Sequence, residues 1–403
     1  MSEIFDVRPP AGLFDTERRP FRLTVGALFI VLEIAAIALA QTSALVGAVA
    51  LVALAVAQVF AAMRLDGGIG KLLVLASTIS LATAGTIAAA PMFDRKFEQV
   101  TSDYLMEKGG PLGWTMEPSG GAVKVTKLLN GKPLFTQTYT LDDDGFRQTT
   151  SAERGPAFAF LGDSFTFGEG VADSETMPQV FADRTGRSLR VVNAGVSAYS
   201  PAQVLRELEL GLYDRRLKPA KALFMLTIDW HSARVACVHD SLIGAPRYES
   251  RDGTVSYVGT CGPVPPPSTL AGRLLAATPL YKALFGGGLR HVGDDEIQTY
   301  IDVVGAIARL AKSKYGVPLH VLYLRNPSYL VFNRFSDDKI MDGFRKGGAI
   351  VYDLTLPQEG RGAFAIPLDG HPTALAQRLH AEMLVDALRR NEPELLKVEA
   401  QTN

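Results

Sequence analysis

The chain reads as an α/β protein, a parallel sheet sandwiched by helices and preceded by three transmembrane helices. Two patterns predict this. From about residue 156 onward, short apolar runs alternate with amphipathic helical runs, the signature of strand–helix–strand crossovers. Ahead of them, three apolar stretches fill most of residues 23–92 of the 403-residue chain. A third observation points to where function lies. The apolar run Ala159-Phe160-Leu161 ends in Gly162-Asp163-Ser164, which puts a hydroxyl at the carboxyl end of a strand, where open α/β sheets hold their ligands.

Residues 1–20 are polar, carry Pro9-Pro10 and Arg18-Arg19-Pro20, and read as a cytoplasmic tail. Leu23 to Ala40 is apolar except for Thr24 and Glu33, and Ala44 to Met63 and Leu72 to Met92 are two further apolar runs. About 20 apolar residues cross a bilayer, so residues 21–93 are expected to form a three-helix anchor. Arg8, Arg18, Arg19 and Arg22 precede the first span. Arg64 and Lys71 flank the second loop, and the Gln41-Thr42-Ser43 turn has no Lys or Arg. The positive-inside rule then places the N-terminus in the cytoplasm. Three crossings of a bacterial inner membrane leave everything after about residue 93 in the periplasm. Ala38-Leu39-Ala40 also has the form of a signal-peptidase site. Cleavage there would leave two crossings and the same export. Glu33 stands near the middle of the first span, where an ionisable group is costly. Its two expected roles are a hydrogen bond to Ser80 or Thr83 of the third span, or contact with a partner membrane protein.

Residues 94–150 are expected to form a linker and a β-hairpin. Val123 to Leu129 and Leu134 to Leu141 flank Asn130-Gly131, a strong turn dipeptide. In the domain at 151–392, strands are expected at Pro156–Leu161, Leu189–Asn193, Leu223–Ile228, Leu319–Leu324 and Ile350–Leu354. Helices are expected near 175–184, 201–214, 295–313, 335–346 and 373–390. Residues 232–290 interrupt the alternation with Pro263-Val264-Pro265-Pro266-Pro267 and an amphipathic run, Thr269–Phe285. Residues 393–403 are a tail. Cys237 and Cys261 lie together in the exported part, so a disulfide is expected between them. The net charge of −1 gives no electrostatic basis for binding nucleic acid. The histidines and cysteines lack metal-ligand spacing, and Gly168-Glu169-Gly170 lacks the lysine of a phosphate loop, so no metal or cofactor is expected.

Ala159 to Gly170 resembles the nucleophile block of the GDSL/SGNH hydrolase superfamily of esterases and acyl hydrolases. Val191 to Tyr199 and Pro367 to Ala376 are similar to its second and last blocks. Asp142-Asp143-Asp144-Gly145-Phe146-Arg147 is similar to a segment that precedes the nucleophile block in many bacterial members. The resemblance implies a flavodoxin-like sheet with Ser164 as nucleophile, His371 as base and Asp369 orienting it. The oxyanion donors would be the Gly195 and Ser164 N–H groups, with Asp163, Asn193, Thr227 and Asp229 in support. Two positions depart from the family. Its acid commonly stands three residues before the histidine, where this chain has Leu368. Its third block carries Gly-x-Asn-Asp, whereas this strand ends Thr227-Ile228-Asp229-Trp230. Ile228 cannot donate a hydrogen bond, so the enzyme is slow, or Thr227 or an insertion residue substitutes, or hydrolysis is no longer the task. His231, His239, His291, His320 and His380 lack the Asp-x-His-Pro setting of His371 and are expected to be structural.

What the resemblance implies is a membrane-anchored extracytoplasmic serine esterase or deacylase acting on acylated glycan or lipid. The alternatives are an O-acyltransferase for a cell-envelope polysaccharide, and a catalytically weak binding or assembly subunit of a membrane complex.

Overall fold

The computed structural model describes residues 19–64, 68–93, 97–101, 106–117, 120–264, 292–326, 330, 333–357 and 361–397. They fall into two compact units with a boundary between Asp94 and Arg95.

The first unit is built from α1 (Arg19–Thr42), α2 (Ala44–Ala62) and α3 (Gly68–Phe93). Ser43 ends the first turn and caps α2, its hydroxyl accepting from the Val46 N–H at 3.4 Å. Small residues line the contact surface, with Ala36, Ala40, Ala48 and Ala84 buried beside Leu51 and Ile87. A Cβ on Gly47 would strike the Ala40 backbone, so the close approach of α1 and α2 needs glycine there. Leu28, Ile30, Val31, Ile34, Leu45 and Phe60 face outward. The polar groups turn the other way. Glu33 accepts from the Ser80 hydroxyl at 2.8 Å and from Gln58 Nε2 at 3.2 Å, so each helix contributes one member of a polar node. Thr83 instead bonds the Ile79 carbonyl of its own helix. Two of the helices, over Leu45–Ala62 and Gly68–Ala89, are long and apolar enough to cross a bilayer. The apolar part of α1, Thr24–Ala40, is shorter. Length and composition thus mark two of the three expected spans.

The second unit holds a five-stranded parallel sheet of β6 (Ala157–Gly162), β7 (Arg190–Gly195), β8 (Ala220–Ile228), β11 (Leu319–Leu324) and β12 (Ile350–Asp353), in the order β12-β11-β8-β6-β7. Side chains along a strand alternate between faces, and β6 shows it directly. Ala157, Ala159 and Leu161 enter one core with Leu205, Val304 and Phe344, while Phe158 and Phe160 enter the other with Phe181, Leu384 and Leu388. Helices therefore cover both faces. The strand–helix alternation starts with α4 (Ser164–Phe167), α5 (Met177–Arg184), α6 (Pro201–Leu210), α7 (Asp214–Leu217) and α8 (His231–Val235). It continues with α9 (Asp294–Leu310), α10 (Asp337–Lys346), α11 (Arg361–Phe364) and α12 (Ala374–Asn391). The chain leaves β6 for β7 on one side and returns to β8 on the other, so a topological switch lies at the carboxyl end of β6, where ligands bind in such sheets.

Residues 95–147 belong to this same unit. They form β1 (Phe97–Thr101), β2 (Met106–Lys108), β3 (Trp114–Met116), β4 (Ala122–Leu129) and β5 (Lys132–Thr140), with β1, β4 and β5 in one antiparallel sheet. Asn130 (φ 50°) and Gly131 (φ 75°) make the expected tight turn, both in the left-handed region that such a hairpin demands. Arg147 pairs through its backbone with Leu141 and with Asn193, joining this sheet to β7. Within the interrupting segment, β9 (Pro246–Arg251) and β10 (Thr254–Thr260) form a hairpin, and Cys237 and Cys261 are joined in a disulfide, Cα–Cα 5.5 Å. The amphipathic run Thr269–Phe285 and Pro265–Pro267 lie outside the described residues.

Candidate active site

Ser164 opens α4 directly after β6. Gly162 makes the turn possible, at φ 141°. A Cβ there would meet the Thr166 hydroxyl and the Leu226 carbonyl, so the nucleophile loop closes onto β8 only with glycine. Asp163 caps α4, accepting from the Phe165 N–H at 2.9 Å. Ser164, as first residue of the helix, keeps an N–H with no intrahelical acceptor.

The loop before α12 brings His371 to this point. Its Nε2 lies 2.8 Å from Ser164 Oγ, across 207 residues of sequence. Its Nδ1 lies 2.5 Å from Asp369 Oδ2. The two-residue spacing from acid to base works because the chain turns sharply there. Leu368 (φ 66°) and Gly370 (φ 92°) are both left-handed, and the Asp369 and Gly370 N–H groups both donate to the Ile366 carbonyl. The acid is thus delivered to the imidazole from a tight turn.

Two further residues join this arrangement. Lys127, from β4, places Nζ 2.6 Å from Asp369 Oδ1 and 2.8 Å from Glu169 Oε1. Glu169, from the turn after α4, puts Oε2 3.7 Å from His371 Nε2 and accepts from the Ser197 hydroxyl at 3.0 Å. Burial would raise the Asp369 pKa, but the bonds to His371 and Lys127 outweigh it and bring it down to about 2. Burial would likewise depress His371. The bond to Asp369 and the charges of Glu169 and Asp369 overcome this and leave its pKa above the ordinary imidazole value, with Lys127 pulling the other way. Glu169, Asp369 and His371 are near enough together to resemble a metal ligand set. The Lys127 ammonium, bonded to both carboxylates, already serves them as the cation.

The other expected site residues fall behind the nucleophile. The Gly195 N–H donates to Asn193 Oδ1 at 3.1 Å, and a Cβ on Gly195 would strike α4. This glycine lets β7 pack under the nucleophile turn, and its N–H is spent, which corrects its expected oxyanion role. Asn193 Nδ2 reaches the Phe167 carbonyl at 3.4 Å. Thr227 is buried, its hydroxyl held by His231 Nδ1 at 2.9 Å and Tyr300 at 2.8 Å, so it cannot turn toward a substrate. Asp163 accepts from Arg234 Nη1 and pairs with His231 Nε2, each at 3.0 Å. Burial opposes its ionisation, but His231 and Arg234 outweigh that and hold its carboxyl well below the usual range. Arg234 also donates to the Tyr199 carbonyl at 2.5 Å, tying the nucleophile turn to the loop after β7. In that loop Ala198 is left-handed at φ 66°, and its N–H has no hydrogen-bond partner among the described residues. Asp229 is buried with Oδ2 unpartnered. Burial and the nearby Asp337 push its pKa up to about 8.

Arg147 explains the Gly-Phe-Arg segment. Fully buried, it donates to the carbonyls of Phe167, Gly168 and Val171 at 2.9–3.2 Å and pairs with Asp173 at 2.5 Å. Its guanidinium also lies over the Tyr139 ring. It thereby closes the carboxyl end of α4. The sequence offered a signal for Arg147 and Glu169, which lie in or beside the quoted motifs. Nothing in the sequence marked Lys127.

A cleft of about 220 Å³ is lined in part by Phe165, Trp230, Ile228, Pro372 and His380.

No protein-family model matches the chain, and no curated protein matches it. Among solved structures it is similar to the psychrotrophic esterase EstA from a Pseudoalteromonas species, at 12% identity and TM-score 0.34 over 59% of this chain and 98% of that one. It is also similar to TesA, at 16% identity and TM-score 0.31 over 58% of this chain and 98% of that one. Function is therefore argued from the geometry around Ser164.

Proposed function

We propose that this protein is a membrane-anchored, extracytoplasmic serine esterase or deacylase of the SGNH type, acting on acylated glycan or lipid. One observation carries the reading: the hydrogen-bonded chain Ser164 Oγ, His371 Nε2, His371 Nδ1 and Asp369 Oδ2, with links of 2.8 and 2.5 Å. A serine hydroxyl needs an adjacent base to attack an ester, and the base needs an orienter. In this mechanism His371 takes the Ser164 proton as Oγ attacks the acyl carbon. Asp369 and Glu169 stabilise the imidazolium that results. His371 then gives the proton to the leaving alkoxide, and the acyl group stays on Ser164. Water, activated by the same nitrogen, releases it. The developing oxyanion takes hydrogen bonds from the Ser164 N–H and the Ala198 N–H, which replaces the Gly195 donor expected from the motifs. Transfer to a glycan hydroxyl would use the same acyl-enzyme with a different acceptor.

The anchor reading is supported by the inside-out pattern of the helical unit, apolar outside and with Glu33, Gln58 and Ser80 joined within. A signal from an externally added, membrane-impermeant label on residues introduced after position 94 would be expected. Labelling only after lysis would refute the exported topology. For the chemistry, the full-length protein in detergent is treated with a serine-reactive fluorophosphonate and with p-nitrophenyl acetate. Ser164→Ala is expected to abolish labelling and cut turnover by at least about 10³-fold. A folded wild-type chain that takes no label, or a Ser164→Ala variant that labels equally, would refute the esterase reading and favour a binding or assembly role.

A further inference from the structure

The nitrogen that takes the proton from Ser164 has a second neighbour. His371 Nε2 lies 2.8 Å from Ser164 Oγ and 3.7 Å from Glu169 Oε2. The Glu169 carboxylate is fixed in that place. Its Oε1 accepts from Lys127 Nζ at 2.8 Å, and its Oε2 accepts from the Ser197 hydroxyl at 3.0 Å. Lys127 is in turn bonded to Asp369 at 2.6 Å, so Glu169 and the acid behind His371 share one anchor. A carboxylate oxygen has two lone pairs, and Ser197 uses one of those on Oε2. The His371 and Glu169 side chains are 15% and 14% exposed, so both acceptors are within reach of solvent. Their spacing suits a bound water. An oxygen at an ordinary hydrogen-bond length of about 2.8 Å from each atom sees the two at roughly 80°, near enough to the angle between the O–H bonds of water for one hydrogen to serve each. Once Ser164 carries the acyl group, the imidazole has given its proton to the leaving alkoxide, and Nε2 is again an acceptor.

We propose that Glu169 Oε2 and His371 Nε2 together seat the water that hydrolyses the acyl-enzyme, and that this pair selects water over an alcohol as acceptor. The inference rests on the esterase reading and decides between its two outcomes, hydrolysis and transfer. The water oxygen bonds to the acyl carbon while one of its hydrogens passes to Nε2 and the other stays on the oxygen, directed at Oε2. The tetrahedral intermediate then breaks at the bond to Oγ, Nε2 returns its proton to Oγ, and the carboxylic acid leaves with the hydrogen that faced Glu169. An alcohol brings only one hydrogen. Attack requires that it go to the base, so Oε2 is left facing an oxygen lone pair. A site built to take a hydrogen bond rejects a ligand that lacks the donor. For a charged acceptor the loss corresponds to at least about tenfold in rate.

The test is the fate of the acetyl group. The full-length protein in detergent turns over p-nitrophenyl acetate in buffer containing molar methanol, and NMR reads acetate against methyl acetate. The wild type is expected to give chiefly acetate. In Glu169→Gln, Lys127 draws the amide oxygen and turns the NH2 toward the water seat, where it can donate to an alcohol. The ratio of methyl acetate to acetate is expected to rise at least fivefold. Loss of the charge beside the imidazolium slows both acceptors alike, so a purely electrostatic or structural role leaves this ratio unmoved. Ser197→Ala, which releases Oε2 but keeps its charge, is expected to shift the ratio in the same direction and decides the matter if Glu169→Gln does not fold. The proposal is overturned if the wild type makes chiefly methyl acetate, or if the ratio stays within twofold of wild type in a folded variant. Failure of the esterase reading shows differently and overturns both: the wild type then releases no p-nitrophenol and takes no fluorophosphonate label.

Discussion

Asp369→Asn separates an acid that orients the base from one that merely sits near it. The side chain is 1% exposed and bonded to both His371 and Lys127. The bonds to His371 and Lys127 bring its pKa from 3.8 down to about 2, which by linkage amounts to ~2.5 kcal/mol of folding stability at neutral pH. The pKa is depressed, so this contribution is present above pH 3.8 and is lost as pH falls toward 2. At pH 3 about half of it remains. The amide cannot reproduce it. Asn Nδ2 would donate to His371 Nδ1 and force the ring proton onto Nε2, where it faces Ser164 and cannot accept. The corresponding exchange in a serine protease costs about 10⁴-fold in kcat, and a loss of that order is expected here. Both tryptophans, Trp114 and Trp230, lie in the α/β unit, so urea unfolding followed by fluorescence reports its stability. The variant is expected to be ~2.5 kcal/mol less stable at pH 7 and about half that at pH 3. A kcat within tenfold of wild type, or a stability loss that does not change with pH, would refute the assignment.

Lys127→Met removes the cation that bridges two carboxylates. Breaking such a pair from one side costs about 3 kcal/mol when it is well buried, and Lys127 is 16% exposed, so about 2 kcal/mol is expected in urea unfolding. Lys127 opposes protonation of His371, so its loss raises the His371 pKa. The acid limb of kcat/KM should then move to higher pH, and an unmoved limb would exclude this role. Arg147→Met strands the carbonyls of Phe167, Gly168 and Val171 and leaves Asp173 unpaired. A loss of at least about 3 kcal/mol is expected, with activity falling even in the fraction that stays folded. Replacing Cys237 and Cys261 by serine opens a crosslink spanning 24 residues. Loop-closure entropy puts that at about 3.5 kcal/mol, so reductant should lower the wild-type urea midpoint and leave the double variant unchanged.

Local physics made the framework legible in the sequence. Strand and helix periods marked β6, β7, β8, β11, β12 and the helices between them, because each element buries one face and its apolar spacing records which. Asn130-Gly131 marked a hairpin because few residue pairs accept two left-handed conformations in succession. Ser164, His371 and Asp369 stood in short motifs, so their candidacy needed no structure. Tertiary structure decided what those motifs could not. Whether an acid two residues before the histidine can reach it depends on the left-handed turn at Leu368 and Gly370, which no spacing rule contains. Gly195 looked like a donor, and only the placement of Asn193 shows that its N–H is spent. Lys127 lies 242 residues before Asp369 in a strand whose own pattern says only that it alternates, and the pair exists because β4 packs beside the nucleophile turn. Sequence carries the preferences of each segment. Contacts between distant segments depend on how the packed elements are set against one another, and that is where the electrostatics around His371 are made.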